Sequence, residues 1–169
     1  MTEALCRAGL EYDIVPARNV DMSPCTGCFG CWIRKPGECV HGGPAADIAR
    51  AIVASDIVAI VTPVKFGSYS YEIKKILDRV VCSMLLPFFE RVEGECHHPA
   101  RYPSPPTLVA LGTLPIPDSD AASVFETLVG RNALNLRCMY SVTVAAGGIR
   151  PGELALAADA LLARAKQTR

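Results

Sequence analysis

Asp56 is followed by an unbroken apolar run, Ile57-Val58-Ala59-Ile60-Val61, and the next regular segment is helical. From Ser70 to about Leu86, Ile73, Ile76, Leu77, Val80, Val81 and Met84 step by three and one, the pattern of one buried helix face, and Pro87 ends it. A short apolar run of this kind suits a strand covered on both faces, and therefore a parallel sheet. The alternation then repeats: a strand over Thr107–Leu111, a helix from Ser119 to about Leu134, a strand over Cys138–Ala145 and a helix from Pro151 to about Ala165. Upstream, Thr2–Ala8 reads as the end of a helix with Leu5 inward and Gly9 closing it, Glu11–Pro16 as a short strand, and Pro44 to Ala54 as a helix. Short links between strands and helices imply right-handed crossovers and a three-layer α/β sandwich, with residues 1–169 as a single domain. In such folds the carboxyl ends of the strands share one edge, where ligands bind. The cysteine-rich connection, the Thr62–Ser70 loop and a turn at Gly112 are expected to meet there.

That connection holds Cys25, Cys28, Cys31 and Cys39, a C-x2-C-x2-C-x7-C run with half of the chain's eight cysteines. Thiols spaced this closely converge only around a polyvalent centre, and a tight run with one remote member is the grammar of iron–sulfur ligation. Zinc more often takes separated C-x2-C pairs, and free thiols or a redox disulfide are further uses of such a cluster. Of the four remaining thiols, Cys6, Cys82 and Cys138 fall on element faces and read as buried core residues, while Trp32 reads as packing the cysteine loop onto the sheet.

Composition narrows the classes. Half of the residues are hydrophobic, a fifth are charged and the formal charge is zero, which excludes a disordered chain and leaves no basic footprint for nucleic acid or an anionic membrane. The apolar stretches fall short of a membrane span, no secretory pattern opens the chain, and many cysteines without one suggest a reducing, cytoplasmic setting. We see no nucleophile–base constellation.

Thr62-Pro63-Val64-Lys65-Phe66-Gly67-Ser68-Tyr69-Ser70 leads from the first apolar strand into the clearest helix. Gly67 lets the backbone approach a ligand without a Cβ clash, successive N–H groups suit electron-rich acceptors, and Phe66 and Tyr69 can flank a flat ring. A planar cofactor such as a flavin matches; a plain strand-to-helix turn with two gap-filling aromatics is the alternative. Lys65 suits either a nicotinamide phosphate or open solvent. Phe88–Pro106, with His97, His98, Arg101 and Tyr102, reads as a long irregular segment serving as a lid or subunit interface, its two adjacent histidines pointing apart.

Taken together, Pro24-Cys25-Thr26-Gly27-Cys28-Phe29-Gly30-Cys31-Trp32, Pro36-Gly37-Glu38-Cys39-Val40, Thr62–Ser68, Leu77-Asp78-Arg79 and Gly94–His98 with Arg101-Tyr102 resemble the flavodoxin-like NAD(P)H-dependent FMN reductase family, in the branch of the iron–sulfur flavoproteins. The resemblance implies an FMN whose ring borders Thr62, Pro63, Val64, Lys65, Phe66, Gly67 and Ser68, with Gly112 nearby. It implies Cys25, Cys28, Cys31 and Cys39 as candidate ligands of a [4Fe-4S] cluster. It also implies NAD(P)H as the electron donor, a quinone, flavin or protein as the acceptor, and a homo-oligomer. The family pattern begins with a hydrophobic strand and a Gly-Ser-Pro-Arg-like loop for the FMN phosphate, whereas this sequence starts inside the helix that follows them. The expected sheet is accordingly flavodoxin-like without the usual first strand. A non-enzymatic iron–sulfur or zinc module, and a shortened chain unable to hold FMN, are the rival readings.

Overall fold

The computed structural model describes residues 1–147 and 150–167. Its elements run α1 (Thr2–Arg7), a 3-10 turn at Ala17–Asn19, α2 (Gly30–Ile33), α3 (Ala45–Ala54), β1 (Ile57–Pro63), α4 (Tyr71–Met84), β2 (Glu90–Val92), β3 (Glu95–His97), β4 (Thr107–Leu114), α5 (Ser119–Leu136), β5 (Tyr140–Ala146) and α6 (Pro151–Gln167). The main sheet has the order β1-β4-β5 with all pairings parallel, Ile57 opposite Thr107 and Leu108 opposite Tyr140.

The alternation of side chains along β4 makes the layers. Leu108 and Ala110 face a core shared with Ile60, Phe125 and Val129, against which Ile73 and Leu77 of α4 also pack. Val109 and Leu111 face the other way, onto Leu161 and Ala165 of α6. Phe125, Val109, Ala110, Leu111 and Leu161 are wholly buried, and each large side chain among them contributes roughly 1.5–3 kcal/mol through lost contact with water. Helices α4 and α5 therefore cover one face and α6 the other, with α1 docked on α6 through Ala4, Ala158 and Leu162. This is the expected three-layer α/β sandwich. Helix α1 ends as read, in a Schellman turn: the N–H of Gly9 reaches Cys6 O and that of Leu10 reaches Leu5 O, with Gly9 at φ +65°.

Several expectations are corrected. The strand buried on both faces is β4, while β1 lies at the sheet edge with Val61 47% exposed. Both carry apolar runs, and the presence of a neighbour on each side decides between them. Residues 11–16 form no strand: with no ladder to join, Tyr12, Ile14 and Val15 stay exposed. Cys6 is exposed beside Tyr12 rather than in the core. Gly112 marks no turn; it sits inside β4, where an added Cβ would meet Val64 Cγ2 at 2.7 Å and Phe125 Cε1 at 2.9 Å. Phe88–Pro106 is not wholly irregular, because β2 and β3 form an antiparallel hairpin within it, turning at Glu93-Gly94 with both φ values positive. The hairpin is pinned to α5. Glu95 pairs with Arg131, Arg137 Nη2 donates to Glu90 at 2.8 Å, and buried His97 lies 2.8 Å from Asn135 Oδ1 and 3.1 Å from Glu95 Oε2. His98 turns the other way, toward Phe88 O, so the two histidines do point apart.

Candidate functional site

The first candidate region is the turn that leaves the carboxyl end of β1. Val64 N–H donates to Thr113 O at 2.9 Å, tying the turn to the end of β4. Lys65 and Ser68 exchange two backbone hydrogen bonds of 2.9 Å each, and Phe66 (φ 51°) and Gly67 (φ 71°) both take left-handed backbone, the signature of a tight type I′ turn. The buried hydroxyl of Thr62 accepts from Ser70 N–H at 2.9 Å and donates to Pro63 O at 3.0 Å, fixing the entry to α4. Among the described residues, the N–H groups of Phe66 and Gly67 have no hydrogen-bond partner.

Other parts of this loop are placed differently from the sequence reading. Tyr69 is buried edge-on against Phe125 at 5.3 Å, its hydroxyl accepting from Asn132 Nδ2 at 3.1 Å; burial pushes its phenol up. It flanks no ligand. Phe66 is fully exposed. Gly67 is a glycine because of α5: a Cβ there would lie 2.7 Å from Val124 Cβ, so the close approach is to the protein itself. Lys65 is exposed.

The second region is a cavity of about 90 Å³ lined by all four motif cysteines. The motif is held against the second half of α4. Trp32 Nε1–H donates to Leu85 O at 3.2 Å, and Ser83 Oγ donates to Gly37 O at 2.7 Å. Arg79 reaches Ser23 O at 2.8 Å and Gly42 O at 2.6 Å. Trp32 thus docks the loop on the end of α4, where its ring also stacks on Phe29 and meets the tilted ring of His98, and not on the sheet. From Ser70 to Cys82 the helix rises about 18 Å, so the turn at Phe66-Gly67 and the thiol cavity sit at opposite ends of α4 and do not share one rim.

Three residues at the cavity escaped sequence reading. Cys82, on α4, adds a fifth thiol. His41 Nε2 lies 3.4 Å from both Cys28 Sγ and Thr26 Oγ1. Arg79 forms part of the wall. A histidine two positions past the last motif cysteine was the one available signal, since Cys82 and Arg79 join only when the loop folds back.

The thiols are electrostatically unlike. The backbone N–H of Gly30, then His41 and Thr26, bring the Cys28 thiol down to about 7, while burial and the neighbouring Cys82 push Cys31 up to about 12. Cys25 and Cys28 are exposed, Cys31 and Cys39 half-buried, and all are free. The donor set has the chemistry of a soft-metal centre. As placed, no three His, Cys, Asp or Glu side chains among the described residues stand close enough to hold a metal ion, so closing on one would require the two exposed thiols to turn inward.

A parallel sheet covered on both faces, with an open-amide turn at its carboxyl edge, defines a flavodoxin-like α/β protein. The NAD(P)H:quinone oxidoreductase from Methanothermobacter marburgensis has this fold, with a TM-score of 0.60 at 18% identity over 99% of this chain and 83% of that one. The chain is also similar to the iron–sulfur flavoprotein of Methanosarcina thermophila, 32% identical over 73 residues, 43% of this chain and 37% of that protein. It is 26% identical to the iron–sulfur flavoprotein MJ1083 of Methanocaldococcus jannaschii over 76 residues, 45% and 38% respectively. The matched stretch spans little more than a third of these curated relatives. No family model matches the chain. The resemblance to iron–sulfur flavoproteins is thus found in the sequence over less than half of the chain, and the flavodoxin-like architecture in the fold. Among the described residues no helix is long and apolar enough to cross a membrane.

Proposed function

We propose that the protein is an FMN-dependent oxidoreductase passing electrons from NAD(P)H to a quinone, flavin or protein acceptor. The observation that carries this reading is the pair of unpartnered amides in the turn at the carboxyl edge of the sheet, those of exposed Phe66 and buried Gly67. Two N–H donors held in one rigid turn match the electron-rich edge of an isoalloxazine ring, and Thr62, Val64 and Tyr69 keep that turn from relaxing. Exposed Phe66 offers an apolar surface beside them. Bound FMN supplies a centre that takes a hydride and releases electrons singly. The chain's own part is to orient the ring and restrict water at Phe66-Gly67; no side chain is required as a general base.

In this reading Cys25, Cys28, Cys31 and Cys39 hold a [4Fe-4S] cluster, a use supported by the iron–sulfur flavoproteins to which the chain is similar. Because the cavity lies one helix length from the turn, a second copy of the chain is the simplest way to bring the two regions together. A non-enzymatic thiol module is the second reading, favoured by the five thiols that line one cavity.

Titration with FMN separates them. We expect flavin fluorescence to be quenched, amide hydrogen exchange at Phe66 and Gly67 to slow, and the bound flavin's visible band to bleach anaerobically with NADH or NADPH. Unchanged exchange at those amides with no quenching would leave only the thiol module.

A further inference from the structure

We propose that Arg79 is the counter-charge of the thiol cavity, a positioning residue for a negatively charged, thiolate-held metal centre. The inference rests on the thiol half of the reading above and not on the flavin half.

Arg79 projects from α4 into the cavity wall and is 3% exposed. Its guanidinium is permanently charged, and a buried charge is ordinarily matched by an opposite one. Among the described residues no carboxylate forms an ion pair with it, although Asp78 lines the same cavity. Nη1 meets Ser23 O and Ser23 Oγ at 2.8 and 3.2 Å, and Nη2 meets Gly42 O at 2.6 Å, all of them uncharged groups. Adjacent Asp78 pairs with Lys74. The Nε atom is buried with no hydrogen-bond partner at all. A fixed positive charge is therefore held beside five thiols, and metal binding would make the ligating ones fully negative.

Four thiolates outweigh the charge of a divalent ion or of an oxidised cluster core, so such a centre is anionic and a buried guanidinium next to it is stabilising. The same side chain fixes both flanks of the motif, Ser23 ahead of Cys25 and Gly42 beyond Cys39. It therefore serves as a clamp in any case, and the question is whether its charge also matters.

Anaerobic reconstitution with ferrous iron and sulfide answers this, read as iron retained per chain against a chelator and as the midpoint potential of the centre. Arg79→Met removes the charge and keeps the bulk; we expect retention to fall about ten- to a hundredfold and the potential to shift downward. Arg79→Lys keeps the charge without the forked clamp and is expected to stay near wild type. Arg79→Gln, a donor without charge, stands in for Met if that variant does not fold, folding being checked by far-ultraviolet circular dichroism. Equal retention and potential in wild type and the uncharged variant overturn the proposal. Equal loss in folded Lys and Met variants assigns Arg79 to clamping alone and overturns it too, as does a wild type that retains no iron. FMN bound in the same samples reports separately on the flavin site.

Discussion

Cys28 and Cys31 lie three residues apart in one motif yet behave as different groups. An ordinary thiol titrates near 9. With its value brought to about 7 by Gly30 N–H, His41 and Thr26, Cys28 is about half thiolate at pH 7, where an ordinary thiol is about one per cent ionised. The sign is that of a depressed acid: the thiolate persists as pH falls from 9 and is lost only below about 7. Cys31, pushed up to about 12 by burial and Cys82, stays protonated throughout. Iodoacetamide labelling followed by mass spectrometry should therefore modify Cys28 first, with a midpoint near pH 7 that rises in His41→Ala, and spare Cys31. Equal labelling of both would contradict the placement of His41. The cysteine spacing is plain in the sequence; the difference between the thiols is not, because it comes from hydrogen bonds to Gly30 N–H and, across thirteen positions, to His41, and from burial against α4.

At the level of elements, α4, α5 and α6 and strands β1, β4 and β5 all appear where their periodicity puts them. The failures have physical causes. Residues 11–16 have strand-like composition, but a strand exists only with a partner for its backbone groups. The β2–β3 hairpin was hidden because its strands are three residues each, too short to show alternation. Gly67 shows how a correct emphasis can carry the wrong reason: the turn needs glycine, but to admit α5. Gly67→Val should lower stability by about 2–4 kcal/mol, since a branched side chain at φ +71° would collide with Val124. Urea unfolding measures this. Wild-type stability in that variant would show that α5 can step aside.

Over the whole molecule, two regions are held by different forces. The sheet and its covering helices share dry cores around Phe125 and Leu161, whereas the cysteine loop is tied to α4 by a few hydrogen bonds from Arg79, Ser83 and Trp32. A segment held mainly by polar tethers releases before a hydrophobic core melts. Trp32 is the chain's only tryptophan and stands in the tethered region, so its fluorescence reports on that region alone. In urea, the fluorescence midpoint should precede the loss of helical circular dichroism, and Ser83→Ala should widen the gap. Coincident transitions would mean that loop and core unfold as one unit.

The layered α/β architecture and the clustering of thiols are legible before any contact between distant segments is known. Hydrophobic period and residue spacing are local quantities that survive without knowledge of what lies nearby. Folding was needed to make β4, not β1, the central strand, to bury Gly112 and Tyr69, and to bring Cys82, His41 and Arg79 to the motif cysteines. Each of those outcomes depends on which segments become neighbours, because burial, ladder pairing and charge compensation are properties of pairs brought together by folding.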